Sequence, residues 1–234
     1  MSFILHGQEL AYVDEAYNTT RINERTVEVA VAKHLMAKAE TVLEVGCVMP
    51  HYLPGLPNAN HVVVDLYEEF PGVINADVLT YQTEARYDLV LAISTLDHLN
   101  SPHEVLQALS AMRKWRKLGG LLLVTLPFDQ PFFVGGGPWL DALLVSKFQM
   151  GASALWRMDK VDPAQHLWEE VSIFPVHPAG RGYNQASAFA NTVYFLMFGD
   201  VERWWSKDPF PFRISPQKML AKQLEETRSS AQSS

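Results

Sequence analysis

Five short apolar runs, each bounded by turn residues, set the limits on how this chain can fold. They occupy residues 41–46, 62–66, 72–75, 87–93 and 121–126. Val, Ile and Leu dominate them, and none alternates strictly between apolar and polar positions. A strand with one wet face would alternate, so runs of this kind suit parallel strands covered on both faces.

Between the last two runs lies the clearest helix. Ser101-Pro102-His103-Glu104 places a hydroxyl at the N-cap, proline at the first helical position and glutamate at the third. Val105, Leu109 and Met112 then descend one face. Arg113, Lys114, Arg116 and Lys117 gather toward its end, where positive charge suits the helix dipole. Gly119-Gly120 is expected to terminate it. Strand, capped helix and strand make a right-handed crossover unit, so the class is α/β. Upstream, Val27, Val31 and Leu35 recur at helical spacing within residues 20–39. Residues 1–19 have no sustained period.

Other connections are short. Residues 49–57 hold three prolines and a glycine, which forbid a long helix. Residues 67–71 are too few for a crossover helix. The helix within 20–39 is the natural cover for a sheet face left open in this way. After Pro127, residues 139–148 read as a helix. Residues 155–158, 167–174 and 192–198 read as strands, the last two an antiparallel pair at the sheet edge. A single domain over residues 1–214 is expected: a segment and helix at 1–40, a core at 41–127 and an edge region at 128–214. Residues 215–234 are expected to form a polar, mobile tail.

Composition narrows the function classes. With 48% hydrophobic residues among 234, a sizeable core is within reach. The 19 basic and 26 acidic residues leave a net charge of −7, without the basic footprint of a nucleic-acid binder. The single cysteine, Cys47, excludes an internal disulfide and any site built from several thiolates. No apolar leader or long apolar span is present, so a cytoplasmic protein without membrane attachment is expected.

Ligands of open α/β sheets bind beyond the carboxyl ends of the strands, where strand order reverses. Here the first run ends in Glu44-Val45-Gly46-Cys47, the second in Asp65, the third in Asn75-Ala76-Asp77-Val78 and the fourth in Ser94-Thr95-Leu96-Asp97-His98. A glycine after the first strand permits close backbone approach. An acid at the end of the next can accept from both hydroxyls of a ribose. One after the third can accept from an exocyclic amine. The spacing describes a nucleoside cradle.

Val42-Leu43-Glu44-Val45-Gly46, Val63-Val64-Asp65 and Asn75-Ala76-Asp77-Val78 resemble class I S-adenosylmethionine-dependent methyltransferases. So do Tyr87-Asp88-Leu89-Val90, Ser94-Thr95-Leu96-Asp97-His98 and Leu118-Gly119-Gly120. The flanks, with Tyr17-Asn18-Thr19-Thr20 and Trp168-Glu169-Glu170-Val171, resemble a little-characterised bacterial subgroup associated with saccharide or surface-polymer pathways. The resemblance implies a Rossmann-like, mostly parallel sheet with antiparallel C-terminal edge strands and shortened crossover helices. It implies S-adenosyl-L-methionine as cofactor and a small-molecule acceptor, saccharide-related by analogy with the subgroup.

It also implies roles. Gly46 and Cys47 would pass under the methionine and ribose, with Glu44 orienting the loop or the amino group. Asp65 would hold the ribose hydroxyls, and Asp77 and Val78 would meet the adenine edge. Ser94 and Thr95 would supply backbone contacts near the sulfonium. Methyl transfer needs no metal. His98 is the leading general base for a hydroxyl or amine acceptor, with His51 beside the loop as the weaker candidate.

The family pattern is acid-x-Gly-x-Gly-x-Gly, and Val48 and Pro50 stand at its second and third glycines. That departure favours the main rival, a non-catalytic binding or scaffold protein. A dinucleotide oxidoreductase ranks last, because pyrophosphate needs those glycines. Gly135-Gly136-Gly137 suits a loop over the substrate. Trp204-Trp205, with Phe210 and Phe212, suits either internal packing, a homodimer contact or stacking on a sugar or base.

Overall fold

A computed structural model of the chain describes residues 1–15, 23–128, 152–162, 167–171 and 192–205. Its centre is an eight-stranded mixed sheet. Strands β3 (Val42–Val45), β4 (His61–Asp65), β5 (Ile74–Asn75), β6 (Tyr87–Ile93) and β7 (Arg116–Phe128) are mutually parallel. Strands β8 (Ala154–Asp162), β9 (Leu167–Val171) and β10 (Thr192–Gly199) extend the sheet antiparallel. The order is β5-β4-β3-β6-β7-β10-β8-β9. From β3 the chain builds β4 and β5 on one side, then returns to lay β6 on the other. Strand order therefore reverses between β3 and β6, and a crevice opens at their carboxyl ends.

The absence of strict alternation in β6 has its explanation in two covered faces. Leu89, Leu91 and Ile93 pack on one side, Val90 and Ala92 on the other, and all are fully buried. Helix α1 (Arg25–Met36) covers the first face, as its Val27, Val31 and Leu35 stripe requires. Helix α2 (Pro102–Trp115) covers the second with Val105, Leu109 and Met112. The shortened crossovers are present: β3 and β4 are joined through a single 3₁₀ turn, Met49–His51.

Several expectations are corrected. The strands at 167–174 and 192–198 do not pair; β10 lies between β7 and β8, and β9 pairs with β8 at the edge. Burial decides this. From Val193 to Phe198 every β10 side chain is buried, whereas β9 exposes Glu169 and Glu170, charges that suit an edge. Nor does Gly119-Gly120 end the helix. Arg116 is already extended, at φ −80° and ψ 138°. The two glycines lie in an irregular stretch of β7, between the pairs Tyr87↔Arg116 and Leu89↔Leu121. Gly119 has φ +77°, and a Cβ on Gly120 would press on the Asp88 carbonyl. The irregularity turns Lys117 back so that its Nζ donates to Asp88 Oδ2 and Thr41 Oγ1, each at 3.0 Å.

The unpatterned N-terminus contains a hairpin, β1 (Ser2–Leu5) with β2 (Gln8–Ala11). His6 and Gly7 turn it with φ of +45° and +74°, the handedness favoured by two-residue hairpin loops. With helix α3 (Val201–Trp205) it completes the α1 face. Trp204 and Trp205 are buried there; their indole N–H groups donate to Gly119 O and to Leu5 O and His6 O. Packing is their use, and stacking on a ligand is excluded by that burial. The 135–137 glycines, the helix expected at 139–148, Phe210, Phe212 and the 215–234 tail lie outside the described residues.

Candidate functional site

Strand-end residues converge on a cavity of about 530 Å³ at the β3/β6 reversal, within the roughly 300–1,000 Å³ usual for small-molecule sites. Gly46, Asp65, Asp77, Val78, Thr95 and His98 line it. Six of the ten residues singled out from sequence are thus brought together, whereas Glu44, Cys47, His51 and Ser94 do not line the cavity.

Gly46 continues β3 by donating its N–H to Val64 O at 2.9 Å. Its φ of +84° favours glycine, and a Cβ there would collide with the Thr95 hydroxyl. The site therefore has a floor only a glycine allows. Thr95 is held in turn by its hydroxyl, which donates to Ile93 O at 3.0 Å. Asp65 Oδ1 accepts from the Tyr67 and Glu68 N–H groups at 2.8 and 2.9 Å, which folds the turn after β4. Asp77 Oδ1 accepts from Leu79 N at 2.8 Å. Both acids thus brace a turn and face the cavity. Leu66 and Tyr67 also line it, exposed by 46% and 85%. They escaped the sequence reading, although two large apolar residues directly after a strand-end acid are a usable signal. His98 sits on the rim with its side chain 54% exposed, its Nε2 4.0 Å from Asp97 Oδ2.

Glu44 is fully buried behind the loop. Its Oε1 accepts from Val48 N and Met49 N, both at 2.8 Å, and its Oε2 lies 2.9 Å from His61 Nε2. This carboxylate shapes the segment where Val48 and Pro50 replace glycines, holding the backbone into the 3₁₀ turn. Cys47 is half-buried beside it. Burial, reinforced by Glu44, Glu68 and Asp65, pushes the thiol up to about 12, so it is a neutral group rather than a nucleophile. His51 points to Glu68, Nε2 to Oε2 at 3.5 Å, and edges against the Phe70 ring.

Ser94 is buried with φ +41°, a strained value for a side-chain-bearing residue. Three hydrogen bonds hold it: its N–H donates to Thr125 O and Oγ1, and its hydroxyl donates to Glu28 Oε1 at 2.6 Å. Glu28 belongs to a buried ionic group at the start of α1. Arg25 Nη1 donates to Glu28 Oε2 at 3.0 Å and to Ile93 O at 3.2 Å. Burial and then Glu28 push the Glu24 carboxyl up to about 7. Burial also raises Asp97. Sequence spacing offered no signal for this group, because α1 and the end of β6 meet only in three dimensions.

The cavity fits a nucleoside-containing cofactor. It offers a glycine-only floor, carboxylates on successive strand ends and exposed apolar side chains between them. No protein-family model matches the chain, and no curated protein matches it. Solved structures do. The N-methyltransferase NodS from Bradyrhizobium japonicum WM9 superposes with a TM-score of 0.50 at 14% identity, over 78% of this chain and 98% of that one. Its complex with S-adenosyl-L-homocysteine gives 0.49 at 13% identity, over 76% and 87%. A SAM-dependent methyltransferase from Archaeoglobus fulgidus gives 0.46 at 16% identity, over 75% and 94%. The chain has the Rossmann-like fold of the class I methyltransferases.

Proposed function

We propose that this protein transfers a methyl group from S-adenosylmethionine to a small-molecule acceptor, with a saccharide-related acceptor as the class to test first. The observation that carries the reading is the cavity at the sheet's reversal point, floored by Gly46 against Thr95 and walled by Asp65 and Asp77. NodS, the structure that superposes with a TM-score of 0.50, is an N-methyltransferase by name, which supports methyl transfer as the reaction.

Bound there, S-adenosylmethionine supplies an electrophilic methyl for in-line displacement. Asp65 offers its carboxylate to the ribose hydroxyls while Oδ1 keeps the turn folded. Asp77 and Val78 meet the adenine edge, and Leu66 and Tyr67 cover the ring. Gly46 and Thr95 set how deep the donor sits, and alignment of donor with acceptor supplies most of the rate. His98, on the rim, takes the proton from a hydroxyl or amine acceptor.

The rival, a binding protein of the same fold without transfer activity, draws on the loop: Glu44 already occupies the N–H groups of Val48 and Met49. Calorimetric titration with S-adenosylmethionine and S-adenosylhomocysteine separates the two. Micromolar binding is expected, weakened about 10- to 100-fold by Asp65→Asn, the loss of one charge-assisted hydrogen bond. That substitution keeps an oxygen to brace the turn. Absence of binding at millimolar ligand in a folded protein overturns the enzyme reading.

A further inference from the structure

Outside the cavity, the side chains of Cys47, His51 and Glu68 bring a sulfur, an imidazole nitrogen and a carboxylate oxygen within 4.8 Å of one another. Among the described residues they are the one group of this kind. Cys47 and His51 come from the loop after β3, Glu68 from the turn after β4. We infer that these three residues form a site for one zinc-like divalent cation, with water as the fourth ligand. The inference is independent of methyl transfer.

The donor set is that of a borderline-soft metal. Thiolate and imidazole favour zinc or cobalt over magnesium or calcium, which take oxygen ligands. Three protein donors and one open position are a recurrent zinc arrangement. The geometry is close to what an ion needs. Zinc bonds of 2.0–2.3 Å in a tetrahedron separate neighbouring donors by roughly 3.3–3.6 Å. His51 Nε2 and Glu68 Oε2 already stand at 3.5 Å. The sulfur lies within 4.8 Å of both other donors, so it has to close by about 1.5 Å at most.

All three backbones are anchored. Glu44 pins Val48 and Met49 on the C-terminal side of Cys47. His51 N donates to Val48 O at 3.1 Å within the 3₁₀ turn. Glu68 N donates to Asp65 Oδ1, and Glu68 O accepts from Asn75 Nδ2 at 2.8 Å. Phe70 sets the plane of the His51 ring at an interplanar angle of 77°. Such supports keep ligands convergent before the ion arrives. His51 and Glu68 side chains remain 17% and 35% exposed, so an ion has a path in. Binding forms a sulfur–metal bond and releases the thiol proton to solvent. The ion would join the loop after β3 to the turn after β4, whose neighbours Gly46 and Asp65 wall the cavity.

The chain has one cysteine, so a sulfur-to-metal signal can only come from Cys47. The test adds cobalt(II) to full-length protein stripped with chelator, then displaces it with zinc. One cobalt per chain is expected, with a near-ultraviolet sulfur-to-cobalt absorption that zinc abolishes and magnesium does not. Loss of a supporting residue costs roughly 10- to 100-fold in metal affinity, so Cys47→Ser and His51→Ala should weaken zinc by at least about 100-fold. The part-exposed Glu68→Gln should weaken it about 10-fold. No sulfur-to-cobalt absorption at saturating cobalt in the wild type overturns the inference, whatever the variants do. So does zinc binding in Cys47→Ser and Glu68→Gln that is as tight as in the wild type.

Discussion

His61 Nε2 and Glu44 Oε2 lie 2.9 Å apart, with side chains exposed by only 3% and 0%. The other carboxylate oxygen holds the two N–H groups that start the 3₁₀ turn. One side chain thus joins β3, the head of β4 and the loop between them. Glu44→Ala should lose about 2–4 kcal/mol, since it strands two backbone donors and a buried imidazole. Glu44→Gln keeps an acceptor for the loop and should lose less. Urea unfolding of the two variants checks the ranking; equal losses would contradict it.

Gly46→Ala puts a side chain at φ +84° and into the Thr95 hydroxyl. A loss of about 1–3 kcal/mol in stability is expected. Affinity for S-adenosylmethionine should drop at least about 10-fold as the floor rises. Thr95→Ala in the same chain removes the clash with the hydroxyl and methyl but leaves a tight approach to the residue 95 Cβ and the backbone strain, so it should recover part of the affinity. Titration of both variants decides this.

Glu24 makes the fold pH-dependent in an unusual direction. Its carboxyl is raised from 4.5 to about 7 in the folded protein, chiefly by burial. Between those values the folded state holds a proton that the unfolded state has released. Stability therefore declines as pH rises from about 4.5 to 7 and levels off above, by up to about 3 kcal/mol from this group. Glu24→Gln should remove that decline, stabilising the protein at pH 8 and changing little at pH 5. Thermal melts across this range measure it.

Asp88 acts in the opposite sense. Burial alone would raise its carboxyl, but the Lys117 and Thr41 hydrogen bonds outweigh burial and hold it below its usual 3.8. Its contribution is complete above that value and is lost as pH falls through the lowered one. Asp88→Asn should cost about 1–3 kcal/mol at neutral pH and flatten the acid limb of the stability profile. Lys117→Met should reproduce part of the loss, and the double variant should be less than additive.

Much of this was legible in one dimension. Runs such as 87–93 marked their strands because burial on both faces demands continuous apolar character. Ser101 marked the start of α2: its hydroxyl accepts from Glu104 N at 3.3 Å. Glu104 itself reaches Asn100 N, one residue further back than a capping box specifies. The hairpin at the N-terminus was not legible, because four-residue strands with every second position exposed carry too little period to register. Gly119-Gly120 was misplaced because the dipeptide that ends a helix also serves an irregular strand where a backbone must pass close to Asp88.

The sequence by itself determined the parallel strands, the capped helix and the polar residues at the strand ends. These follow from local chemistry: periodicity, capping and the cost of ending an apolar strand in an acid. Tertiary structure alone decided which of those residues meet. It set Glu44 against His61, faced Gly46 with Thr95, brought Ser94 to Glu28 and gathered the Cys47–His51 loop with Glu68. Each of those contacts joins separate elements or loop segments whose approach depends on how helices and strands pack, and no interval along the chain encodes that distance.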